Sequence, residues 1–322
     1  MTILTHAVYG HVPSDLAEIP AASIQCSPRV PVTHASVLSE MVAASCAGIV
    51  VHAPGGTIER RSVMAMALRV LVPDGQITVL AANTKGGTRL ASELAMLGCT
   101  AGIDHKRKHQ IVRATRPSRL TGIEEAIALG APRLVPGLEL WSQPGLFNWD
   151  RIDPGSQLLI QHLPELKGRG ADLGCGFGAL ARAIQLKSPD AQIVLIDIDQ
   201  RALEMARRNV PGDGITTLWA DVRATAPFPR DLDFVVMNPP FHDEGEDDIA
   251  IGRAFIEKAA AMLKPGGVLW LTANRHLPYE ATLKPLFGSA DQVATAQGFK
   301  IYEARKAAAG AAFKSRPVKS RA

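Results

Sequence analysis

The chain of 322 residues contains no uncharged apolar run approaching the ~18 residues that a membrane-spanning helix needs. Its N-terminus, MTILTHAVYGHVPSDL, lacks a basic segment followed by an apolar stretch, so no export signal is read and a cytoplasmic protein is expected. Cysteine is scarce: Cys26, Cys46, Cys99 and Cys175 are scattered, with no CxxC pair and no histidine cluster at metal spacing. A disulfide framework and a zinc site are thereby excluded, leaving reduced thiols and no expected metal. Neither sign of charge dominates. Lys and Arg number 35 against 31 Asp and Glu, and the net +4 permits a polyanionic partner without requiring one. What remains is an ordinary globular composition, 47% hydrophobic and 20% charged, able to bury a sizeable core. The length favours two domains; the sequence leaves the oligomeric state open, with a monomer favoured.

The strongest local signal is RGADLGCGFGALARAIQLKSPDAQIVLIDIDQ, residues 169 to 200. A short strand ends at Asp172-Leu173; Gly174, Gly176 and Gly178 then make a tight loop that opens a helix. Leu180, Ala183 and Ile184 share one face of that helix, Pro189-Asp190 ends it, and an apolar strand follows. This is a βαβ unit with a glycine loop at the carboxyl end of its first strand, where open α/β sheets bind ligands. Asp197, at the end of the second strand, is placed to accept hydrogen bonds from two ribose hydroxyls. A dinucleotide fingerprint would read GxGxxG with a phosphate at the helix N-terminus. Here an acid, Asp172, precedes the loop, which suits a cationic ligand better than a pyrophosphate.

The stretch ADLGCGFGAL, the acid at Asp197 and the later WAD ending in Asp221 resemble the cofactor motifs of class I S-adenosylmethionine-dependent methyltransferases. The resemblance implies that Asp172, Gly174, Cys175, Gly176 and Gly178 border the methionine part. It also implies that Asp197, with Ile198 beside it, holds the ribose, and that Asp221 and Val222 meet the adenine. In that family an Asn-Pro-Pro-aromatic segment after the fourth strand marks methylation of a nitrogen conjugated to a π-system. Such a segment stands at Asn238, Pro239, Pro240 and Phe241. A conjugated amine is a poor nucleophile because its lone pair is delocalised. Two acceptors, the Asn238 side-chain oxygen and the Pro239 carbonyl, can take its two N–H groups and aim the lone pair at the sulfonium methyl. The diproline fixes those acceptors beforehand. Phe241 offers a stacking face worth ~1–3 kcal/mol per base. His242 could accept a proton, although a neutral surface histidine is the plainer reading. The local motif admits guanine, adenine and protein glutamine alike.

Three further stretches narrow the choice. PGLFNWDRIDPGSQLLI precedes the glycine loop, VLWLTANRHLPYEATLKPLF spans the fifth strand, and GFKIYEARK lies near the C-terminus. With NPPFH they resemble RsmC-type ribosomal-RNA guanine-N2 methyltransferases. The expected activity is methyl transfer to guanine N2, most naturally in 16S RNA of the small subunit, with Phe147, Arg275, His276 and Tyr279 on the substrate side. The competing readings are N-methylation of large-subunit guanine, adenine or protein glutamine, and a non-enzymatic RNA-binding assembly factor.

The two halves of the chain also repeat. GIVVHAPGG (48–56) parallels DFVVMNPPF (233–241), ALRVLVPDGQITVLAAN (67–83) parallels KAAAMLKPGGVLWLTAN (258–274), and HQIVRATR (109–116) parallels FKIYEARK (299–306). Asn238 corresponds to Ala53 and Phe241 to Gly56, and the first half carries no glycine loop. The expected fold is α/β: two tandem Rossmann-like methyltransferase domains, the N-terminal copy (1–125) degenerate and the C-terminal copy (126–322) catalytic with a seven-stranded sheet. The linker falls at about 121–145 in a Gly- and Pro-rich stretch, and a basic tail at about 307–322. The basic run DHKRKHQIVRATRPSR (104–119) reads equally as an RNA phosphate contact or a charged strand edge.

Overall fold

A computed structural model describes residues 5–32, 36–225, 227–240, 242–243, 246–247 and 249–308, with backbone alone for 242–243 and 246–247. Contacts divide the chain into two compact units, Met1–Arg151 with Ile198–Arg201, and Ile152–Asp197 with Ala202–Ala322.

The first unit is built on a six-stranded mixed sheet. Its elements are β1 (Thr5–Tyr9), β2 (Ile24–Gln25), β3 (Cys46–His52), α1 (Thr57–Val70), β4 (Leu71–Ala82), α2 (Leu90–Met96), β5 (Ala101–Lys106), β6 (His109–Thr115) and α3 (Ile123–Gly130). A small antiparallel pair, β7 (Arg133–Val135) and β8 (Leu140–Ser142), follows. The strand order is β2-β1-β3-β4-β6-β5, parallel up to β4 and antiparallel beyond it. Val63, Met64, Ala67 and Leu68 of α1 recur at helical spacing and pack on Ile49, Val51, Ile77 and Val79 of the sheet. Ala126 and Ile127 of α3 join the same core, so the sequence-based boundary at 125/126 falls inside a helix of this unit. The basic run divides. Residues 102–108 are exposed on edge strand β5 and its turn, whereas Gln110, Ile111, Val112 and Ala114 of β6 are buried.

The second unit carries the glycine loop. Its elements are α4 (Pro154–His162), β9 (Arg169–Leu173), α5 (Ala179–Lys187), β10 (Gln192–Asp197), α6 (Gln200–Asn209), β11 (Ile215–Trp219) and β12 (Leu232–Met237). A short pair follows, β13 (His242–Asp243) with β14 (Glu246–Asp247), and then α7 (Ile249–Met262), β15 (Leu263–Asn274), α8 (Glu280–Leu286), β16 (Ser289–Ala296) and β17 (Phe299–Arg305). The sheet has seven strands in the order β11-β10-β9-β12-β15-β17-β16; the first five are parallel, and β17 alone is reversed, pairing antiparallel with both β15 and β16.

Strand side chains alternate between the two faces, which explains the unbroken apolar runs. Val235 and Met237 point into the core with α7 and α8, whereas Phe234 and Val236 point into the core with α4, α5 and α6. Helix α5 buries Leu180, Ala181 and Ile184, while Ala183 is half-buried. A Cβ on Gly178 would stand 3.0 Å from the Ala206 backbone of α6, so a side chain there would push the two helices apart. The chain winds from β9 outward to β11 and then returns to the other side of β9 at β12. The carboxyl ends of β9, β10, β12 and β15 therefore share one edge, with the switch point between β9 and β12.

Candidate functional site

The loop after β9 is held by its neighbour strand. Gly174 and Cys175 donate their backbone N–H groups to Ile196 O at 2.8 and 3.0 Å, and Gly176 N–H donates to Asp197 Oδ2 at 2.8 Å. Gly174, Gly176 and Gly178 have φ of 77, 52 and 87°, values that L side chains rarely adopt. Nothing lies within 4 Å of where a Cβ on Gly176 would stand, so the loop presents open backbone at that point.

Asp172 is fully buried beneath the loop. Its Oδ2 accepts the N–H of Ala181 at 3.0 Å, while Oδ1 is buried with no hydrogen-bond partner. Burial pushes its carboxyl up from 3.8 to about 7; the Ala181 N–H opposes the shift and the nearby Asp197 charge adds to it. An unsatisfied buried acceptor of this kind fits a cationic group arriving at the loop. Cys175 is buried, which drives its thiol well above the ordinary range and leaves it without nucleophilic character. At the end of β11, Val222 is buried and the Asp221 carboxylate holds the Arg223 guanidinium at 2.9 Å. Ala220 N–H donates to Asp197 O at 3.1 Å, which ties this segment to β10. Ile198 follows directly on Asp197 and is half-buried.

At the carboxyl end of β12, the Asn238 amide is anchored on one side only. Its Nδ2 donates to Asp153 Oδ2 and to Ser156 Oγ, both at 2.9 Å. Its Oδ1 is buried and has no partner. A carboxylate only accepts, so the pairing with Asp153 assigns nitrogen and oxygen within the amide. Pro239 is buried and Pro240 exposed. Phe241 lies outside the described residues; His242 is described as backbone, paired with Asp247 across β13 and β14.

Asp153 and Ser156 are absent from the residues singled out by sequence. The available signal was Asp-Pro-Gly-Ser: Asp153 caps α4 by accepting Ser156 N–H at 3.1 Å, and Pro154 takes the first helical position.

The residues expected on the substrate side separate. Arg275 and His276 are exposed just beyond β15, which neighbours β12. Tyr279 is 1% exposed and part of the core, its ring occupying the space left by the missing side chain of Gly252. Phe147 is 65% exposed on a segment that groups with the first unit. Among the described residues no group of three or more His, Cys, Asp or Glu could hold a metal, and no helix is long and apolar enough to cross a membrane.

The mixed seven-stranded sheet, with its glycine loop and acid-tipped second strand, defines an α/β methyltransferase fold. Residues 137–303 match the Methyltransferase small domain family. Ribosomal RNA small subunit methyltransferase C of Shewanella loihica is 31% identical over 252 residues, covering 75% of this chain and 72% of the relative. The protein of the same name from Pseudomonas aeruginosa is 30% identical over 246 residues, covering 74% of each. The structure of the T. thermophilus 16S rRNA N2 G1207 methyltransferase (RsmC), in complex with AdoMet and guanosine, superposes with a TM-score of 0.71 at 26% identity. That match covers 84% of this chain and 76% of the other. The chain belongs to the methyltransferase small-domain family, as a member of the RsmC-type group.

Proposed function

We propose that the second unit transfers the methyl group of S-adenosylmethionine to the exocyclic N2 amine of a guanine in 16S ribosomal RNA. The observation that carries this reading is the Asn238 amide, whose two N–H groups are engaged behind it while Oδ1 is left unpartnered. A buried acceptor without a donor is costly, and the N–H of a planar amine would satisfy it. The relatives' names and the guanosine in the T. thermophilus structure support guanine and small-subunit RNA as the choice.

When bound, the cofactor supplies an electrophilic methyl on a sulfonium. In this reading Asp172 faces the cofactor's amino group, Gly174, Cys175, Gly176 and Gly178 border its methionine part, and Asp197 with Ile198 meets the ribose. Asp221 and Val222 border the adenine. Asn238 Oδ1 and the Pro239 carbonyl accept the two N–H groups of the amine, which turns its lone pair out of conjugation. Pro240 stiffens the turn, and Phe241 stacks on the base after it leaves its helix. Once methylated, the amine carries a fourth substituent and sheds its proton readily, so no strong base is needed. Arg275, His276 and Phe147 are assigned to RNA contact, and the protein to the cytoplasm.

We further propose that the first unit is a decayed copy of the second. Its strand order β2-β1-β3-β4-β6-β5 matches β10-β9-β12-β15-β17-β16, with the same change from parallel to antiparallel. Ala53 stands where the second unit has Asn238. Nearby, the Arg60 guanidinium donates to Gly55 O at 2.7 Å, just beyond the end of β3.

The test is a comparison of two variants. Asn238→Ala should abolish methyl transfer while sparing cofactor affinity more than Asp197→Ala does. Equal loss of affinity in both contradicts the role given to Asn238.

A further inference from the structure

We infer that Asp153, assisted by Ser156, is a positioning residue for methyl transfer: it orients the Asn238 amide and enriches its oxygen as an acceptor. The inference rests on the function proposed above.

An amide side chain can present either its oxygen or its NH2 to a substrate, and the two ends have nearly the same shape. Only the oxygen end can receive an amine N–H; the reversed amide would set donor against donor. In this chain the choice is imposed from behind, because Asp153 Oδ2 and Ser156 Oγ both lie 2.9 Å from Asn238 Nδ2. The reversed amide would bring its oxygen against a carboxylate oxygen.

The carboxylate is itself held in place. The same Oδ2 accepts Ser156 N–H at the start of α4, 3.1 Å away, and Asp153 is only 9% exposed. Gly155 leaves it room, since a Cβ there would stand 2.9 Å from Asp153 Oδ2 and 2.7 Å from the Phe299 ring. Each member of Asp153-Pro154-Gly155-Ser156 therefore has a part in one clamp: acceptor, helix start, clearance and second acceptor.

The negative charge adds to the orientation. A charge-assisted hydrogen bond to the amide nitrogen draws electron density toward the amide oxygen. Serial hydrogen bonds in a low-dielectric setting polarise one another. Asn238 Oδ1 thus accepts the substrate N–H more strongly than a solvated amide would, at the moment the amine lone pair leaves conjugation.

Two substitutions separate charge from orientation. In Asp153→Asn, a side-chain oxygen can still cap α4 and receive Asn238 Nδ2, but the charge is gone. Asp153→Ala removes both. Single-turnover methyl transfer to the RNA substrate should fall about tenfold in the first and about a hundredfold in the second, with cofactor affinity held within about twofold. Ser156→Ala should lose less than Asp153→Ala. A purely structural capping role would lower thermal stability and leave the Asp153→Asn rate at the wild-type value.

A second readout needs no turnover. The Asn238 side-chain amide resonance, identified by its loss in Asn238→Ala, should shift and exchange faster with solvent in Asp153→Ala. Wild-type rates in both Asp153 variants, or an unmoved amide resonance, overturn the inference. A wild-type chain that binds cofactor yet transfers nothing to RNA overturns the function on which it rests.

Discussion

The Asp197 carboxylate at the end of β10 accepts the Gly176 N–H at 2.8 Å, so the acid of this strand closes the glycine loop that follows its sheet neighbour β9. The loop's shape and the ribose acid are thus one construction, although 20 residues separate them in the chain.

Asp197→Ala should therefore cost more than a ribose contact. A hydrogen bond to a charged group contributes about 1.5–3 kcal/mol, and its loss also frees Gly176. Cofactor affinity should fall at least about tenfold by calorimetry. Asp197→Asn, which can still accept from Gly176, should recover part of the loss.

Asp172 gives the site a pH dependence. Its folded-state value of about 7 lies above the ordinary 3.8, mainly because burial disfavours the charged form. The folded state then holds a proton that the unfolded state has released, so this group's contribution to stability declines as pH rises from about 4 to about 7. A cationic amino group beside Asp172 favours the ionised carboxylate and expels that proton. Cofactor binding at about pH 6.5 should release protons, seen as a heat that varies with the buffer's ionisation enthalpy. The release should vanish in Asp172→Asn and at about pH 9. A buffer-independent heat at the lower pH contradicts the assignment.

In the first unit, Arg60 and Glu93 form a bidentate pair at 2.7 and 2.8 Å, with side chains only 1% and 2% exposed. Breaking one side of a buried pair strands the other charge at a cost of about 3–5 kcal/mol. Glu93→Gln should lower the unfolding midpoint markedly in thermal melts; a change within a degree or so would show that the pair is dispensable.

The parts of the site legible in the sequence are those carried by contiguous residues. The loop from Asp172 to Gly178, the acid at Asp197 and the turn at Asn238 each pair a residue type with a strand end, and they stand at the ends of β9, β10 and β12. The clamp behind Asn238 joins residues 82 and 85 positions apart, and no local pattern marks that pairing. The capping signal at Asp153 announces a helix start, not its second use. The burial of Tyr279 is not marked by its own loop stretch, because it depends on the missing side chain of Gly252 in α7. Likewise the Gly- and Pro-rich stretch after residue 120 looks like a linker, yet Ile123, Ala126 and Ile127 pack on the first core.

The central claim is methyl transfer to guanine N2 in small-subunit RNA. Labelled S-adenosylmethionine should be incubated with small ribosomal subunits and with naked 16S RNA, and the modified base mapped. The account predicts label on the N2 amine of a single guanine in 16S RNA, lost with Asn238→Ala. Label on adenine or on protein, or none on either substrate, would contradict it.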